Sequence, residues 1–170
     1  MSELKLKPLS PQAIPAALAK AERYRLLNEP GEAESICRDV LLVDARNQQA
    51  LTMLILSLTD QLDREDSASF ASEARELVAH LDDEYARAYY AGIICERRAK
   101  ALIKSGRMHS GFAAFEWLKE ALAHFEKALE LRPAGNEEAT LRWNACIRRI
   151  ERHPDVRPRP ESPSEPILSE

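Results

Sequence analysis

Four histidines, three cysteines and a dense set of acids and arginines are the groups in this chain that could do chemistry. His80, His109, His124 and His153 are scattered, and none belongs to a recognised metal-ligand pattern with neighbouring Cys, Asp or Glu. A Cys-x-x-Cys pair, a His-Glu-x-x-His helix, a Gly-rich phosphate loop and a Gly-x-Ser-x-Gly elbow are all missing. The sequence therefore predicts no catalytic residue, no metal site and no cofactor. Cys37, Cys95 and Cys146 lie far apart and are odd in number, which points to reduced, buried thiols in a cytoplasmic protein. Asp82-Asp83-Glu84 reads as a helix cap, and His109 is the histidine best placed for contact.

What remains is recognition chemistry. One predicted helix presents Tyr89, Tyr90, Glu96, Arg97, Arg98 and Lys100; a later one adds Arg142, Trp143, Asn144, Arg148 and Arg149. Aromatic and arginine side chains bury much surface at modest entropic cost and pair with carboxylates, which makes them frequent interface anchors. Tyr89, Tyr90, Arg97, Arg98, Arg142, Trp143 and Asn144 are the expected contacts to a protein or peptide partner. The opposing reading makes the aromatics core and the arginines a solvated face.

Charge is segregated along the chain. Residues 60–84 hold nine acids and two bases, 87–119 seven bases and two acids, and 142–159 six bases and two acids. Such a dipole could steer an acidic partner to the C-terminal half, or join copies head to tail as a homo-oligomer. Neutralisation between adjacent helices is the plainer alternative. The net charge of −4 disfavours a general nucleic-acid binder, although RNA association through the basic C-terminal half is a rival function. The longest apolar run, Leu51 to Leu58, is too short for a membrane span, and the N-terminus lacks the apolar core of a signal peptide.

The elements that must position these groups are helices. Ala, Leu, Glu and Arg dominate the 170 residues and Gly is scarce. Punctuation by Pro, Gly and Asn predicts an all-α chain with seven helices, over about 11–27, 30–43, 47–62, 66–81, 83–104, 112–131 and 136–153. Residues 105–111 read as a flexible loop. An N-terminal arm covers 1–10, and the Pro-rich stretch 154–170 is expected to be disordered.

The sixth helix carries a specific signature. Phe115, Leu118, Leu122, Phe125 and Leu129 form one apolar stripe. Ala121 and Ala128 flank it, and Ala121, Phe125, Ala128 and Pro133 have the spacing of a second tetratricopeptide helix, which the segment 120–133 resembles. Gly31, Ala33, Cys37, Val40 and Ala45 fit the same frame in worn form, and Ala21 and Tyr24 match a first helix. The resemblance implies units over about 14–47, 48–82 and 83–133 with a capping helix at 136–153. Ile55 and Gly92 take the small position in the second and third units, and the third holds roughly 17 extra residues before Ala121.

A fold of that family implies antiparallel hairpins stacked as a short right-handed superhelix, with helices 1, 3, 5 and 7 lining a groove. The implied function is a non-enzymatic scaffold or adaptor holding a partner peptide or protein. The family's carboxylate clamp needs Lys and Asn where this chain has Leu18 and Glu22, so a partner must be gripped otherwise, from helices 5 and 7.

Overall fold

The computed structural model describes residues 4–161, which are all-α, with no strand among them. A 3-10 turn at Pro11–Ala13 leads into α1 (Ile14–Leu26), followed by α2 (Pro30–Val43), α3 (Gln48–Thr59) and α4 (Ser67–Val78). The longer α5 (Glu84–Ser105) and α6 (Ser110–Leu131) come next, and α7 (Glu138–Arg152) ends the set.

Local chemistry explains most boundaries. Asn28 takes a left-handed φ of 60° after α1, a conformation that Asn tolerates better than most residues, and Pro30 opens α2 where its missing N–H costs nothing. The side chains of Asn47 and Asp83 accept the N–H groups of Ala50 and Ala86 at 2.9 and 3.0 Å, capping α3 and α5. Asn136 accepts from the Glu138 N–H at the start of α7 and from the Tyr85 hydroxyl, which ties that start to α5.

Several predicted edges shift. α1 becomes α-helical at Ile14, because residues 11–13 make a tighter 3-10 turn. α3 ends at Thr59 and not Leu62, where the Arg97 guanidinium donates to the Leu56 carbonyl, the Thr59 hydroxyl and the Asp60 carboxylate. α4 ends at Val78, and the Gln48 amide oxygen accepts from Asp82 N at 2.8 Å just beyond it. The loop expected at 105–111 is shorter: Gly106 and His109 take positive φ, and α6 already starts at Ser110.

Successive helices pack on each other, and α1, α3, α5 and α7 also touch in order. Two apolar clusters form the interior. One joins Ala21, Ala33, Cys37, Leu54, Ile55 and Leu58 of α1 to α3 and reaches Ile94 of α5. The other joins Ile93, Cys95 and Ala99 of α5 to Leu118, Ala121, Phe125 and Cys146. Thus α5 sits between both. α5 and α6, at 22 residues each the longest helices among the described residues, pair extensively with one another.

The Pro-rich stretch differs from expectation where it begins. Val156 is 2% exposed and belongs to the α5–α6–α7 cluster, while Asp155 lies against Gly111. One buried valine thus straps residues 155–156 to the bundle. Residues 162–170 and 1–3 lie outside the described residues.

Candidate functional site

One depression of about 410 Å³ is lined from all four alternate helices: Arg25 of α1, Leu56 of α3, Tyr89, Tyr90, Ile93 and Arg97 of α5, and Glu138, Leu141 and Arg142 of α7. Four of the seven anticipated contact residues, Tyr89, Tyr90, Arg97 and Arg142, come together here. The reason is periodic: on α5 they recur about one or two turns apart, and on α7 Glu138, Leu141 and Arg142 share a face.

The floor is aromatic. Tyr89 stacks with Tyr85 at 5.8 Å, meets Tyr90 edge-on at 5.1 Å and leans on the Phe125 ring at 6.0 Å. Burial, reinforced by Glu138, pushes the Tyr89 hydroxyl up to about 12, so it stays a neutral hydrogen-bonding group. Leu141 on the rim is 63% exposed, a large apolar side chain with nothing over it.

The arginines in this depression are already engaged. Arg97 braces the end of α3 through three acceptors, and its burial holds the guanidinium below the ordinary arginine range. Arg25 donates to the second oxygen of Asp60 at 2.7 Å. Arg142 reaches the Glu96 carboxylate at 3.3 Å. Glu96 is 1% exposed, and its other oxygen has no hydrogen-bond partner among the described residues. Arg142 is therefore the charge that compensates a buried acid, a job that limits how freely it can serve a partner.

The remaining anticipated residues lie elsewhere. Arg98 lies over the Trp117 ring at 4.2 Å, with Arg75 at 4.8 Å from the same ring, and borders a separate depression with Arg64 and Ala113. Trp143 packs against the α5–α6–α7 cluster. Asn144 is half-buried, lines none of the depressions described and makes no side-chain hydrogen bond among the described residues. His109 stacks on Phe112 at 5.8 Å beside Met108 and Arg157.

Two further depressions continue along α5. One of about 310 Å³ shares Arg97 and runs past Thr59, Asp60 and Asp63 to Lys100 and Lys104. The next, of about 490 Å³, shares Lys100 and Lys104 and is walled by Arg148, Arg149, Arg152 and His153. Sequence reading did not single out Arg25, Leu56, Leu141 or Arg152 for this surface. For α7 a signal existed: residues 138, 141, 142, 145, 148, 149 and 152 repeat at helical spacing.

Five of the nine acids in the 60–84 stretch are met by the chain's own cations, one of them, Glu84, by Arg87 of its own helix. Glu65, Asp66, Glu76 and Asp83 make no ion pair among the described residues. Asp60 pairs with Arg25 and Arg97, Asp63 with Lys104, Glu73 with Arg38, and Asp82 with Arg46. This is the interhelical neutralisation weighed against steering and self-association.

The thiols are free and buried, each pushed up to about 12 mainly by desolvation. A protonated, inaccessible sulfur is a poor nucleophile. Cys95, Glu120 and His124 bring one donor atom each within 4.8 Å of one another, a grouping invisible in sequence because α5 supplies the sulfur and α6 the rest. Two features oppose a cation there: the tightly held thiol proton, and the Arg75 guanidinium 3.9 Å from the Glu120 carboxylate. Among the described residues no helix is long and apolar enough to cross a membrane. No protein-family model, curated protein or solved structure matches the chain.

Proposed function

We propose that this chain is a divergent tetratricopeptide-type scaffold that holds an extended segment of a partner protein against the face formed by α1, α3, α5 and α7. The observation that carries this reading is the depression to which all four alternate helices contribute side chains. Contact between alternate helices is what stacking of helical hairpins requires, and it supports the same reading. So does the packing at the signature positions. Ala21, Ala33, Ala121, Phe125 and Ala128 are fully buried, and Gly92 lies directly beneath the Phe125 ring.

The partner role is non-enzymatic in this reading, since the groove offers aromatic, apolar and guanidinium groups and no activated nucleophile. Three unpaired buried thiols favour a reducing compartment, and we place the protein in the cytoplasm.

Leu141 and Leu42 test the assignment. Both are exposed, at 63% and 69%, so changing either to Glu leaves the core intact, and only Leu141 lines the groove. Once a partner is in hand, Leu141→Glu should weaken its capture at least tenfold while Leu42→Glu leaves it unchanged. Equal loss from both, or none from Leu141→Glu, contradicts the assignment.

A further inference from the structure

The far end of the groove differs from its middle in one respect: its cations are not spent. Lys100, Arg148, Arg149 and Arg152 surround the 490 Å³ depression, yet none makes an ion pair or side-chain hydrogen bond among the described residues. No carboxylate is among the residues lining it. Burial, and after it the neighbouring Arg149, hold the Lys100 ammonium below its usual range, with the buried Glu96 carboxylate acting the other way. The C-terminal ends of α5 and α7 lie here, and their dipoles offset part of this charge. Each contributes only about half a charge, against four unpaired cations. An anionic group entering the depression would relieve the remaining repulsion.

The rest of the groove limits what that anion can belong to. Its middle carries Asp60 and Asp63, both already paired with Arg25, Arg97 and Lys104. Its opposite end is the apolar and aromatic depression of Leu56, Tyr89, Tyr90 and Leu141, where Glu138 adds a carboxylate with no ion pair among the described residues. A polyanion with a charge on every unit would meet spent cations in the middle and the Glu138 carboxylate at the opposite end, so the ligand's negative charge is confined to the basic end. From Tyr90 to Lys100 the axis of α5 runs roughly 15 Å, and from Leu141 to Arg152 that of α7 roughly 16 Å. An extended peptide covers that distance in about five residues.

Resting on the groove reading above, we propose that the partner segment is a short extended peptide of defined polarity. Its acidic residues lie over Lys100, Arg148, Arg149 and Arg152, and an apolar or aromatic residue about five positions away fills the depression beside Tyr89, Tyr90 and Leu141. Arg97 and Arg142 are struts of the groove, and the unpaired basic end supplies the electrostatic grip.

Panning a displayed library of random ten-residue peptides against the full chain tests this, with synthetic copies of the winners measured by fluorescence anisotropy. Arg148 and Arg152 are exposed, so Arg148→Glu/Arg152→Glu preserves the core, which circular dichroism checks. The expected winners carry two or more acids with an apolar residue at the stated spacing. They should lose at least tenfold in affinity in the double variant and in Leu141→Glu, and weaken as salt is raised. Winners without acidic excess, or binding unchanged in the double variant, overturn the proposal and leave the groove reading standing. No enriched peptide at all removes both. A ten-nucleotide single-stranded uridine RNA is the comparison ligand. If it binds more tightly than every winner and depends on Arg148 and Arg152, the basic end belongs to RNA and the proposal is wrong.

Discussion

A Cβ on Gly92 would stand 2.5 to 2.9 Å from three ring atoms of Phe125, which is itself fully buried and held by Tyr89. The ring has no space to retreat into, so Gly92→Ala should destabilise the fold by about 1–3 kcal/mol, the usual range for overpacking. Urea unfolding would show it, and Phe125→Leu in the same chain should recover part of the loss. Gly106, by contrast, has open space around it and is kept by its left-handed φ of 59°. The thiols make a second prediction at this scale. Folding raises each from 9.0 to about 12, so above pH 9 the unfolded chain releases protons that the folded chain keeps. The native state then binds more protons than the unfolded one, and stability falls as pH rises from 9 toward 12, by up to about 1.4 kcal/mol per pH unit for each thiol. Urea midpoints at pH 8 and pH 10 check this, and replacing the three cysteines by Ala should flatten the difference.

At the scale of elements, the strap after α7 is the feature with the clearest consequence. Val156 carries the strap's burial, and Asp155 passes so close to Gly111 that any Cβ there would overlap its carbonyl oxygen. Val156→Ala removes two buried methyl groups and should cost about 1–2 kcal/mol. Gly111→Ala should release the strap, read as faster hydrogen exchange or proteolysis over residues 154–158. The strap was hidden in sequence because one valine among five prolines has no periodicity to reveal it. The helices themselves were legible: α2 runs Pro30–Val43 as expected, and of the predicted α6 stripe Leu118 and Phe125 are buried while Phe115, Leu122 and Leu129 are half-buried, with the flanking Ala121 and Ala128 buried. The end of α3 was not, because the group that organises it, Arg97, lies 38 residues beyond Thr59 in the chain. The same physics limited the reading of the site. Periodicity on α5 and α7 brought Tyr89, Tyr90, Arg97 and Arg142 to one face. Which arginines are consumed by Asp60 and Glu96, and which stay unpaired, depends on pairing between distant helices.

Along the face of α1, α3, α5 and α7, an apolar depression, a band of paired charges and an unpaired basic end follow one another. Asp60, Asp63 and Glu73 are met by cations from neighbouring helices, so the unpaired cations of this groove are concentrated at its α5–α7 end. A partner aligned from Leu141 to Arg152 would cross three depressions that share Arg97, Lys100 and Lys104. On the proposed scaffold reading this line, and not another face, meets the partner. Site-specific photo-crosslinking reads that most directly, with a benzoylphenylalanine placed at Leu141, at Arg148 or at Leu42 and irradiated in the native cell. Crosslinks to one partner from Leu141 and Arg148, with none from Leu42 on α2, are the predicted result. Crosslinks from Leu42 with none from the two groove positions would contradict it.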